Sequence, residues 1–127
     1  MILLDTQVAL WLLSAPERLG RRARREIEAA ESVAFSSVSV AEITIKKMLG
    51  RLDVPDDIAQ QWQRSGLTSL ALDSDHATTI AAFPDLVRHD PFDRLLLAQA
   101  KAERATLLTA DRVLLSLGLP QVLDARR

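Results

Sequence analysis

The strongest constraint on the fold of this chain is a change of hydrophobic period that repeats along its whole length. Short apolar runs alternate with stretches whose apolar residues recur every three or four positions. Ile2-Leu3-Leu4, Val33-Ala34-Phe35-Ser36, Leu67 to Leu72, Thr106-Leu107-Leu108-Thr109 and Gln121-Val122-Leu123 have the length and composition of strands. Between them the spacing predicts helices over Thr6 to Leu13, Pro16 to Glu31, Val38 to Leu49, Pro55 to Ser65, Ser74 to Phe83, Pro91 to Arg104 and Asp111 to Leu117. Gly50 and Gly66 stand where helices end, and Pro55 and Pro91 where helices begin. Strands alternating with helices imply an α/β fold around a mainly parallel sheet.

With 127 residues and no repeat, low-complexity tract or linker, the chain reads as one domain, residues 1–127. No run approaches the ~20 apolar residues of a bilayer span, and Asp5 interrupts any signal-peptide pattern, so the expected location is the cytoplasm without membrane contact. The absence of cysteine excludes disulfides and thiolate metal sites. Two histidines, His76 and His89, are too few for an imidazole-dominated zinc centre. A carboxylate site for Mg²⁺ or Mn²⁺ remains open. Sixteen basic against seventeen acidic residues exclude a strongly basic nucleic-acid scaffold, but not an enzyme that touches nucleic acid through a local patch.

In parallel sheets ligands bind at the carboxyl ends of the strands, near the point where strand order reverses. Asp5 directly follows the first strand, and Asp111 follows the fourth by two residues. Glu42 lies in the first turns of the helix after the second strand. Asp93 lies in the first turn of the helix before the fourth strand, which places it at the opposite edge unless the preceding loop carries it back. Each acid also has a structural reading. Asp5 and Asp111 stand where helix caps stand, and Ser39-Val40-Ala41-Glu42 spells a capping box. Asp90-Pro91-Phe92-Asp93 spells a cap, a first-turn proline and a third-position acid.

Direction favours chemistry over capping. On a helix Asp93 shares a face with Leu96, Leu97 and Ala100, and Glu42 lies along the line of Val38, Ile45 and Leu49. A carboxylate beside an inward face carries a desolvation penalty unless a cation or donors compensate it. Two unit charges ~4 Å apart repel by roughly 4 kcal/mol at an effective dielectric of about 20. Four converging acids therefore require protonation or a divalent cation, and such a site activates water and offsets charge on a phosphoryl oxygen.

Four segments carry a family resemblance: Ile-Leu-Leu-Asp-Thr from position 2, Ser-Val-Ala-Glu-Ile from 39, His-Asp-Pro-Phe-Asp-Arg-Leu-Leu-Leu-Ala-Gln-Ala from 89, and Leu-Leu-Thr-Ala-Asp from 107. In order and spacing they resemble the PIN-domain ribonucleases, and within them the toxins of bacterial VapBC toxin–antitoxin pairs. The resemblance implies a three-layer α/β/α fold with a five-stranded parallel sheet of order 3-2-1-4-5. It implies an endoribonuclease that uses Mg²⁺, or Mn²⁺, with catalytic Asp5, Glu42, Asp93 and Asp111, of which Asp5, Asp93 and Asp111 hold the metal. Thr109 matches the family's hydroxyl position at the substrate. Asp90 belongs to the same motif, with a capping role. An RNA substrate, a VapB-type antitoxin and a homodimer are the implied partners.

Other residues read more plainly. Arg18, Arg21, Arg22 and Arg25 form a basic stripe opposite Leu19, Ala23, Ile27 and Ala30, expected as a solvated face paired with acids such as Glu26. Arg94 is expected to contact RNA or the rim carboxylates, His76 and His89 to be structural or exposed, and Trp11 and Trp62 to pack. A receiver domain would need an acidic pair after the first strand and a late lysine, yet Thr6 follows Asp5 and no lysine follows Lys101. A phosphatase with Asp-x-Asp fails at Gln7. The remaining alternative is a non-catalytic PIN-like binding module, against which the intact acid set argues.

Overall fold

Leu3 and Leu4 are both fully buried, so the first apolar run needs cover on two faces and partners on two edges. The computed structural model, which describes residues 1–127, supplies both. Strand β1 (Ile2–Leu4) pairs in parallel with β2 (Val33–Ser36) on one side and with β4 (Thr106–Thr109) on the other. Strands β3 (Thr68–Leu70) and β5 (Val122–Asp124) form the edges, giving the order β3-β2-β1-β4-β5. The order reverses between β1 and β4, where Leu4 lies opposite Leu108.

Alternation along the strands divides the core into two. Ile2, Leu4, Phe35 and Leu108 face one layer, built from α1 (Thr6–Ser14), α2 (Arg21–Ala29), α3 (Ser37–Met48) and α4 (Ile58–Arg64) through Val8, Ala23, Ile43 and Trp62. Leu3, Ala34 and Leu107 face the other, where α6 (Pro91–Ala102) and α7 (Arg112–Ser116) contribute Leu96, Leu97, Ala100 and Leu114. Helix α5 (Ser74–Thr79) packs on α6. Trp62 packs against Phe35 with ring centroids 4.9 Å apart and the rings tilted by 43°, and donates its Nε1–H to the Ala9 carbonyl at 2.9 Å, so it packs as expected; Trp11 is also buried.

Several boundaries differ from the sequence reading. The helix expected over Pro16 to Glu31 divides into one tight turn, Pro16–Arg18, and α2. Gly20 is the reason: its N–H donates to the Ala125 carbonyl at 2.9 Å, and a Cβ there would stand 2.2 Å from the Arg127 carbonyl carbon. The basic stripe is divided with it. Arg18 leaves the helix to lie over the Trp11 ring, and the exposed Arg21, Arg22 and Arg25 form no ion pair with Glu26. Helix α4 begins at Ile58 rather than Pro55, and α5 ends at Thr79, before tight turns at Ile80–Ala82 and Pro84–Leu86. Gly50 and Gly66 adopt φ of +68° and +98°, the left-handed conformation that closes a helix. No helix is long and apolar enough to cross a membrane.

Candidate active site

The site grows from the reversal point. Pairing continues past β1, because the Asp5 N–H donates to the Leu108 carbonyl at 3.0 Å. Asp5 occupies the cap position of α1 but makes no capping hydrogen bond. Its carboxylate is buried and accepts instead from the Thr109 hydroxyl. Burial pushes the Asp5 carboxyl above its usual range; the Thr109 hydrogen bond opposes this, while the charges of Glu42 and Asp111 reinforce it.

Thr109 is fully buried, and its oxygen also accepts the Asp111 N–H at 3.0 Å. The Thr109 hydroxyl, expected at the substrate, is engaged here with Asp5 and the Asp111 N–H. Asp111 caps α7, its Oδ1 accepting from the Leu114 N–H at 2.9 Å, while its other oxygen turns to the site.

Glu42 is 8% exposed on α3. The capping box around it does not form, since Ser36 caps α3 and Ser39 is buried, accepting from Thr6. The expected inward line is also corrected: Ile45 and Leu49 are 45% and 59% exposed, and the inward residues are Val38, Ser39, Glu42 and Ile43. Glu42 Oε2 accepts from Lys46 Nζ at 2.8 Å, whereas its buried Oε1 has no partner. The Glu42 hydrogen bond raises the Lys46 pKa, against some desolvation, and the charges of Glu42, Asp90 and Asp93 add to the rise.

Asp93 lies at the same mouth as Asp5, Glu42 and Asp111, as the family resemblance implies, because helix α6 runs back along the sheet before β4 and its first turn stands at the carboxyl ends of the strands. Asp90 caps α6, accepting from the Phe92 N–H at 2.8 Å and the Asp93 N–H at 3.3 Å. Leu96, Leu97 and Ala100 are fully buried beneath Asp93 and fix its direction. Burial, then the charges of Asp5, Asp111, Asp90 and Glu42, push the Asp93 carboxyl up to about 8.

Asp5, Glu42, Asp93 and Asp111 thus line one cleft of about 300 Å³, with Lys46 at its side. Sequence reasoning missed Lys46 and His89. His89 Nε2 lies 3.2 Å from Asp93 Oδ2 and 3.8 Å from Asp111 Oδ2, which corrects its assignment as merely structural or exposed. Its spacing of four residues from Asp93 was the available signal. His76 matches the structural reading: its Nδ1 accepts the Asp73 N–H at 3.1 Å and its Nε2 lies 2.9 Å from Glu103. Arg94 does not reach the rim carboxylates, because its guanidinium donates to the Val87 carbonyl at 3.2 Å. An orphaned buried oxygen on Glu42 and an Asp93 carboxyl raised first by burial and then by its acidic neighbours fit a divalent cation bound by Asp5, Asp93, Asp111 and Glu42.

Comparison with known proteins agrees with this arrangement. The family model described as PIN domain matches residues 2–118. The chain is 30% identical over 117 residues to ribonuclease VapC22 of Mycobacterium tuberculosis, covering 91% of this chain and 90% of that protein. Its fold is similar to a toxin–antitoxin complex from Klebsiella pneumoniae, with a TM-score of 0.66, 22% identity and 98% of each chain covered. It is also similar to VapBC2 from Rickettsia felis bound to a promoter DNA fragment, with a TM-score of 0.67, 17% identity, and 97% and 96% of the two chains covered. The sheet order, the acids gathered at its reversal point and the match across residues 2–118 together make this chain a member of the PIN-domain family.

Proposed function

We propose that this chain is a metal-dependent endoribonuclease, the VapC-type toxin of a toxin–antitoxin pair. The convergence of Asp5, Glu42, Asp93 and Asp111 in one cleft carries this reading, and the ribonuclease relative supports it. Asp5, Asp93 and Asp111, with Glu42, would hold Mg²⁺ or Mn²⁺. When bound, that ion lowers the pKa of water and offsets charge on the scissile phosphate. The protein contributes orientation. Thr109 aims the Asp5 carboxylate, the Asp90 cap holds the first turn of α6, and Lys46 offers a cation beside the phosphate path. Water attacks phosphorus and the 3′-oxygen leaves, giving a 5′-phosphate and a 3′-hydroxyl.

A VapB-type antitoxin and a second copy of the chain are the proposed partners, in the cytoplasm. Exposed Ile45, Met48 and Leu49 at the end of α3 give such contacts apolar surface. Incubation of total RNA with the purified protein, with and without EDTA, tests the activity once the cut ends are mapped. Cleavage that needs a divalent ion and is abolished by Asp93→Asn is expected. Cleavage that survives EDTA, or 2′,3′-cyclic phosphate ends, would overturn the proposal.

A further inference from the structure

We propose that His89 donates its Nε2 to the metal centre, so that His89, Asp93 and Asp111 form a mixed imidazole–carboxylate site for a divalent first-row transition ion. This inference rests on the metal-dependent reading above and deepens it. The three ligand atoms all lie within 4.8 Å of one another. Nε2 lies within ion-pair distance of Asp93 Oδ2 (3.2 Å) and Asp111 Oδ2 (3.8 Å), yet it is buried without hydrogen-bond geometry to either. A buried oxygen, Glu42 Oε1, is likewise unpartnered, on a side chain that is 10% exposed and lines the cleft with Asp93 and Asp111. An unsatisfied buried nitrogen in the loop before α6 and an unsatisfied buried oxygen on α3, both beside the Asp93 carboxylate, point to a shared ligand.

The imidazole is held in place. Leu86 is anchored in the core at 3% exposure, and its carbonyl accepts the His89 N–H at 2.9 Å. Arg94 ties the next carbonyl, that of Val87, back to α6. Asp90 then caps α6 immediately after His89, so both ends of the short segment are fixed. Arg94 is therefore a positioning residue for His89.

The ligand chemistry sets the ion class. Mg²⁺ favours all-oxygen surroundings and dehydrates reluctantly, whereas imidazole nitrogen strengthens binding of transition ions.

Mn²⁺ is the probe. Pulsed EPR of the full chain with Mn²⁺ is expected to show coupling to a directly bound imidazole nitrogen. That coupling should be lost in His89→Gln and should change when the unmutated chain carries ¹⁵N-histidine, a readout that holds even if the variant folds poorly. Calorimetry should show at least a ~10-fold loss of Mn²⁺ affinity in His89→Gln, with a much smaller change for Mg²⁺. Bound Mn²⁺ without nitrogen coupling, coupling that persists in His89→Gln, or equal losses for both ions would overturn the inference. If EDTA still abolishes cleavage in that case, the nuclease reading stands and only His89 falls. If neither ion binds and cleavage survives EDTA, both fall.

Discussion

Thr109 and Asp5 end neighbouring strands side by side, and the Thr109 hydroxyl donates to the Asp5 carboxylate. The same oxygen receives the Asp111 N–H, so one buried side chain sets the direction of two acids contributed by opposite ends of the chain. Thr109→Val keeps the shape and removes both interactions. A hydrogen bond to a charged group contributes about 1.5–3 kcal/mol, so cleavage should fall roughly 10- to 100-fold. The Asp5 carboxyl should rise further, moving the acid limb of the rate profile to higher pH, while Thr109→Ser restores most of the rate.

Asp93 makes the metal-free protein sensitive to pH. Its folded pKa of about 8 lies above the unfolded value near 3.9, so the folded state binds the extra proton between those limits. Stability without metal should therefore fall as pH rises from about 4 to about 8, and level off above. Thermal melts in EDTA are expected to show this slope, and Asp93→Asn should flatten it and melt several degrees higher at pH 8. Cleavage by this variant should drop by at least ~100-fold. A slope unchanged by the substitution would show that another group is responsible.

Lys46 should act through phosphate. In an Asp93→Asn background that binds without cutting, Lys46→Gln is expected to weaken single-stranded RNA binding. The slope of log affinity against log salt should become shallower by about 0.7, the release associated with one phosphate contact. Fluorescence anisotropy over a salt series measures both. An unchanged slope would confine Lys46 to its pairing with Glu42.

Trp62 tests the scaffold rather than the site. It is fully buried, and Trp62→Ala removes its tilted ring contact with Phe35 and its hydrogen bond to Ala9. Urea unfolding should show a loss of about 3–5 kcal/mol, with the milder Trp62→Phe losing less. A loss below 1 kcal/mol would mean that the α1–α4 layer closes over the gap.

What was legible in the sequence was local. Each strand is an apolar run, and each carboxylate stands at a fixed distance from one, so Asp5 and Asp111 follow from reading outward along the chain. The break at Gly20 was hidden because its cause, the backbone of Ala125 and Arg127, lies at the other end of the sequence. The face of α3 was misread because its apolar residues exceed what the core accepts: Val38 and Ile43 are buried, while Ile45, Met48 and Leu49 remain outside. His89 was hidden for a different reason. A lone histidine gains meaning only from its neighbours, and Asp111 joins it through the sheet rather than through the sequence. Thr109 showed the correct address but not its burial, which decides what its hydroxyl serves.

The position of β1 between β2 and β4 has a consequence for synthesis. The central strand is made before either neighbour, and one of its edges waits for residues Thr106–Thr109. Until then Asp5 has neither Thr109 to aim it nor Asp111 beside it. A nascent or prematurely terminated product ending before this strand therefore carries an incomplete set of acids. The full acid set exists only once β4 and Asp111 have been made.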